Sequence, residues 1–200
     1  MAWRLTPALC LALAACSPAG GSEPLAGDAA RTRAARPPDF ELPTLDGTSV
    51  RLSDHLGRDV VLIDFWATFC EPCLRAMPHL DALYRKHKAK GFVVLGVSID
   101  GADSLPEVRA EVQKLEVSFP ILLDQDTRVV ALYNPKTSAP FSVLIDREGR
   151  VRVKREGYTT SGSDSLDREI ESVLASGGLA GSRTSAAGSS VRAPGDSSSR

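Results

Sequence analysis

Val60–Pro78 reads VVLIDFWATFCEPCLRAMP. Its first seven residues, Val60–Trp66, form a nearly continuous apolar run of strand length. Such a run fits a strand buried on both faces of a sheet. One carboxylate, Asp64, interrupts it. A helix is expected from about Glu71 to Lys88. Cys73, Met77, Leu80 and Tyr84 recur there at helical spacing, Lys86, Lys88 and Lys90 lie at the negative end of the helix dipole, and Gly91 stops it. Cys70 therefore falls where a buried strand gives way to a helix.

Working outward, DFELPTLDGTSVRLSDHLG (Asp39–Gly57) holds a turn signal, LDGT, between two short extended pieces, which predicts a hairpin. Phe92–Asp100 is a second buried strand. Ser104–Glu107 (SLPE) predicts a capping box, with a helix to about Leu115. FPILLD is a short strand, and DTRVVALY a short helix capped by Asp126. Phe141–Asp146 is another strand. In RVRVKREGY, Val151 and Val153 alternate with charges, as in a strand with one wet face. A last helix is expected over 164–175, with Leu166, Ile170, Val173 and Leu174 as its apolar stripe. This order predicts an α/β domain over 39–175: a central mixed sheet, helices on both faces, an antiparallel edge and an N-terminal β-hairpin.

The ends differ in character. MAWRLTPALCLALAAC carries one charge, Arg4, and then an apolar stretch too short to span a bilayer, the pattern of a secretory signal over 1–15. Its end, LAAC, resembles the processing motif of bacterial lipoproteins, which implies a cut before Cys16 and lipidation of that cysteine. Residues 16–38 are rich in Ala, Gly, Pro and charge, as in a flexible tether. Residues 176–200 are rich in Ser, Gly and Ala and are expected to be disordered. The net charge of −1 leaves no electrostatic footprint for nucleic acid.

This reading settles the cysteine arithmetic. Of the four cysteines, Cys10 leaves with the signal and Cys16 becomes a thioether. Cys70 and Cys73 remain, in a disulfide-permissive compartment. Cys70, at or near the helix N-cap, sits where N–H groups and the dipole favour thiolate, the nucleophilic form. Cys73, one turn in on the same face, suits a resolving role. Pro72 fits the first turn. A staple across so short a loop would stabilise little. A structural metal site needs four ligands, and the three histidines, His55, His79 and His87, do not complete one. No metal and no organic cofactor is expected.

VLIDFWATFCEPC, followed by Pro140 in SAPFSVLID, resembles the thioredoxin superfamily. The hairpin, the CEPC motif and the lipoprotein-like signal resemble its membrane-tethered TlpA/ResA-like branch, a redoxin/AhpC-TSA-related domain, over about 39–175. The resemblance implies a thioredoxin-like fold and thiol-disulfide oxidoreductase activity. It makes Pro140 the cis-proline facing the disulfide, and Ala139 the residue offering its backbone to an incoming peptide. It places Trp66 and Phe69 beside the pair as aromatic docking surface, though either also fits a plain core. Thioredoxins carry an Asp at the position Asp64 matches. A buried Asp has a raised pKa, and beneath the pair it is placed to accept the proton of Cys73. The branch usually places a Glu where this chain has Ala76, so the acid stands on the other side of the pair.

Peroxiredoxins share the fold, but the Thr they place three residues before the reactive Cys is Ala67 here, and Ile63 takes their Pro position. The missing hydroxyl removes a donor for peroxide chemistry. A binding module without turnover is the other competing class. Glu71, between the cysteines, is expected to disfavour the Cys70 thiolate and to set a reducing potential of roughly −200 to −270 mV. The implied partners are protein disulfides, an upstream membrane thiol reductant and, through the anchor, a membrane facing the periplasm or extracytoplasmic space. A monomer is expected.

Overall fold

The computed structural model describes residues 36–176. The expected signal, the Cys16 lipidation site, most of the tether and almost all of the tail lie outside the described residues. Two strands, β1 (Glu41–Pro43) and β2 (Ser49–Arg51), pair antiparallel as the expected hairpin. The main sheet contains β3 (Val60–Trp66), β4 (Phe92–Ser98), β5 (Ile121–Leu123), β6 (Phe141–Ile145) and β7 (Val151–Glu156), in the order β5-β4-β3-β6-β7. The β3–β4 and β4–β5 pairs are parallel, and β3–β6 and β6–β7 are antiparallel. The apolar run Val60–Trp66 is thus the central strand, and all seven of its residues are buried.

Alternation along β3 divides the core. Val60, Leu62 and Trp66 face α1 (Glu71–His87), α2 (Leu105–Lys114) and α4 (Thr160–Ser176), packing with Met77, Leu80, Val108, Ile170 and Val173. Val61, Ile63 and Phe65 face α3 (Arg128–Tyr133) and the hairpin, packing with Val130, Tyr133 and Leu42. Helices therefore cover both faces of a mixed sheet, as predicted. Position 64 has the parity of Leu62 and Trp66, so the carboxylate is directed to the α1 side. β7 alternates between exposed and half-buried residues, giving one wet face.

Three local expectations are corrected. Ser104 makes no capping hydrogen bond, because a 3₁₀ turn at Ala102–Ser104 runs straight into α2 and leaves it at φ −93° and ψ 10°. That conformation is not the extended one of a side-chain N-cap. At α3, Asp126 is not the main cap. The fully buried Asp124 accepts from the N–H groups of Val129 (3.1 Å) and Val130 (2.8 Å). Asp126 accepts from the Arg128 N–H at 3.5 Å and pairs with the guanidinium of the same residue at 3.6 Å. Finally, α4 begins at Thr160, ahead of the expected start. Packing also begins before Asp39: Pro37 is buried, and the Tyr133 hydroxyl donates to the Pro38 carbonyl.

Gly96 has a steric reason. A Cβ there would lie 2.7 Å from the Phe119 ring and 2.9 Å from the Ile121 side chain. Gly96 is the register partner of Asp64 on β4, and Ser142 is its partner on β6. The surface around the carboxylate on its strand neighbours is therefore one small serine and one glycine capped by an aromatic ring.

Candidate active site

Cys70 is the N-cap residue of α1, and its sulfur accepts from the Cys73 N–H at 3.3 Å. The two cysteines are disulfide-bonded, with their Cα atoms 5.3 Å apart. Their burial differs: Cys70 keeps 8% of its surface and Cys73 none. Pro72 occupies the first turn, where no backbone donor is lost to the helix. Cys70 is thus the more accessible of the two cysteines.

The rim around Cys70 is apolar on one side. Phe69 is 80% exposed, which is unusual for so large an apolar side chain. Trp66 was expected beside it as docking surface, but its side chain is wholly enclosed in the core between β3 and the helices. Because its position shares the inward parity of Leu62, it has no route to the rim. The Ala139–Pro140 bond is cis, and both residues are half-buried. The Pro140 carbonyl accepts from Gly157 N–H at 2.8 Å, which ties this loop to the end of β7. Among the described residues, neither the N–H nor the C=O of Ala139 has a hydrogen-bond partner.

Asp64 lies on the floor of a cavity of about 110 Å³, lined also by Ala76 and Leu80 of α1, Pro140, Ser142 and Tyr158. It is 6% exposed, and among the described residues no hydrogen bond or ion pair reaches its carboxylate. Burial alone pushes its pKa up to about 7. Ala76, one turn beyond Cys73 on α1, faces the same cavity, so the residue that lacks an acid and the residue that has one border a single space. Glu71 is exposed and bonded to Arg75 at 3.0 Å, one turn on. Its charge beside Cys70 is thereby partly offset.

Several polar residues prove structural. His79 bonds Asp167 at 2.8 Å and joins α1 to α4. Among the described residues, no cluster of His, Cys, Asp or Glu is arranged to hold a metal ion. The Thr68 hydroxyl, out of register for peroxide chemistry, donates instead to Asp100 at 2.6 Å. Sequence reasoning did not single out Asp100. The signal was present, since Ser98 and Asp100 are polar residues closing an otherwise apolar run.

Residues 34–154 match the AhpC/TSA family. The thiol-disulfide oxidoreductase ResA of Geobacillus kaustophilus is 36% identical over 136 residues, which cover 68% of this chain and 75% of that one. Among solved structures, a Chlorobium tepidum protein described as a DsbE-type thiol:disulfide interchange protein is 34% identical with a TM-score of 0.64, covering 70% of this chain and 95% of its own. The thioredoxin domain of a Bacteroides vulgatus thiol-disulfide oxidoreductase is 27% identical with a TM-score of 0.61, covering 70% and 96%. Together with a closed Cys-x-x-Cys pair at the head of a helix, these likenesses place the chain in the AhpC/TSA family, among the TlpA/ResA-like thiol-disulfide oxidoreductases of the thioredoxin superfamily.

Proposed function

We propose that this oxidoreductase works outside the cytoplasm, held to a membrane through Cys16, and passes electrons to protein disulfides. The observation that carries the reading is the asymmetry of the pair: Cys70 keeps 8% of its surface beside an exposed aromatic, and Cys73 is wholly enclosed. The Cys70 thiolate attacks one sulfur of a substrate disulfide, forming a mixed disulfide and releasing the first substrate thiolate. Asp64 takes the proton of Cys73. The Cys73 thiolate then attacks the Cys70 sulfur, closing the Cys70–Cys73 disulfide and releasing the second substrate thiolate. Two electrons leave the protein, and an upstream membrane thiol carrier restores them.

Pro140 and the backbone of Ala139, unpaired among the described residues, offer an edge for an extended substrate segment, and Phe69 an apolar contact. Reductive direction is supported by Glu71, whose charge next to Cys70 disfavours the thiolate that a strong oxidant stabilises. Arg75 limits that effect. Export is supported by the signal-like first 15 residues and the LAAC sequence. Among the described residues, no helix is long and apolar enough to cross a membrane.

Insulin disulfide reduction tests the cycle. The native protein is expected to outpace both Cys70→Ser and Cys73→Ser. Cys73→Ser is expected to hold substrates on Cys70 as mixed disulfides, and Cys70→Ser to hold none. A native protein no faster than either variant refutes the reading.

A further inference from the structure

Asp100, two residues beyond β4, is 4% exposed and takes no part in the chemistry above. Both of its carboxylate oxygens accept from the Thr68 N–H at 3.1 Å, and Oδ1 also accepts from the Thr68 hydroxyl at 2.6 Å. The Ser98 hydroxyl, fully buried, donates to Oδ2 at 2.8 Å, while the Asp100 N–H donates to the Ser98 oxygen at 3.2 Å. Thr68 is the middle of the turn that carries the chain from β3 to Cys70. That turn is closed by the Cys70 N–H on the Ala67 carbonyl at 3.0 Å. On its other side, the Ile99 N–H donates to the Trp66 carbonyl at 2.9 Å. The segment before the nucleophile is thus fastened at two successive points to the residues that follow β4.

We propose that Asp100 is a positioning residue for Cys70: it anchors Thr68 so that the turn delivers the Cys70 sulfur onto the first N–H groups of α1. The proposal rests on the reading of Cys70 as the attacking sulfur. Its physical basis is directional. An N-cap sulfur gains from the helix terminus only while it stays within reach of the Cys73 N–H, and the stabilisation falls off within one turn. A carboxylate that accepts from both the backbone and the side chain of one residue removes the freedom by which that turn would swing away. Ser98, held inside the sheet, fixes the carboxylate in its turn.

The test is the pH dependence of Cys70 alkylation by iodoacetamide in the reduced full chain, with the modified cysteine identified by mass spectrometry. Thr68→Val removes the hydroxyl without changing charge. Asp100→Asn leaves one acceptor where there were two. Both are expected to raise the apparent Cys70 pKa and to slow alkylation at pH 7 by roughly two- to five-fold, the span of a helix-terminus interaction. The rates should converge at pH values where the thiolate is fully formed. Thr68→Ser, which restores the donor, should return the native profile. Titration of both variants with the native protein overturns the proposal. So does a lowered pKa in Asp100→Asn with none of this effect in Thr68→Val, which would make Asp100 a charge and not an anchor. If Cys73 alkylates as fast as Cys70 in the native protein, the assignment of the nucleophile itself fails.

Discussion

Asp64 should weaken the folded state at neutral and alkaline pH, and removing its charge should strengthen it. Burial raises its pKa from 3.8 to about 7 in the folded protein. An unfolded chain gives up this proton near pH 4, whereas the folded chain keeps it to about pH 7. Between those values the folded state binds more protons, so stability falls as pH rises. The shift of about 3 units, at 1.36 kcal/mol each, amounts to about 4 kcal/mol, fully felt above pH 8. Asp64→Asn keeps the shape and removes the ionisation. Urea unfolding of the oxidised proteins from pH 4 to 9 should show equal stability near pH 4, with the gap widening to about 4 kcal/mol in favour of the variant by pH 8.5. For a domain of this size that corresponds to about 12 °C in Tm. A gap that is constant across the range would refute the reasoning, because a pH-independent difference arises from packing and not from a buried charge.

The same substitution should act oppositely on turnover. Asp64→Asn is expected to slow insulin reduction more at pH 7 than at pH 9, where Cys73 ionises without help; an effect of equal size at both pH values removes Asp64 from the proton transfer. Phe69→Ala should raise KM for protein disulfides by about tenfold, from the lost burial of one aromatic side chain, and leave reduction of a small disulfide such as glutathione disulfide nearly unchanged. Equal losses on both substrates would assign Phe69 to the structure of the site and not to docking.

The central strand and the first helix were legible because their signals are local and agree. Seven residues of apolar run, an amphipathic spacing and a proline in the first turn all specify the same junction at Cys70. The burial of Asp64 was legible too, because a carboxylate in a strand of this pattern stands out against its apolar neighbours. What escaped was set by tertiary partners. The sequence points to Asp126 as the cap of α3, and the buried placement of Asp124 over the Val129 and Val130 N–H groups selects Asp124 instead. Ser104 fits a capping box, but the preceding 3₁₀ turn denies it the conformation. Trp66 and Phe69 are both aromatic and three residues apart, and strand parity sends the first into the core. Asp100 acts on Thr68 across 32 residues of chain, a distance no periodicity crosses.

The acid at position 64 and the small residue at position 76 border one cavity. In the proposed cycle a proton taken by Asp64 from Cys73 must leave again before the next turnover, and a carboxyl sealed into an apolar core has no exit. The cavity of about 110 Å³ between Asp64, Ala76, Ser142 and Pro140 is large enough for water, and Asp64 and Ser142 supply polar partners for it. Its α1 wall is open because Ala76 ends at Cβ; a longer side chain there would project into the same volume. The branch usually carries its acid on α1, and this chain carries one on β3 instead. Either route calls for one raised carboxyl, while two in this small space would oppose each other's ionisation. Carrying Asp64 with Ala76 keeps one acid that retains its proton at pH 5 and releases it near pH 7, with room left for that proton to depart.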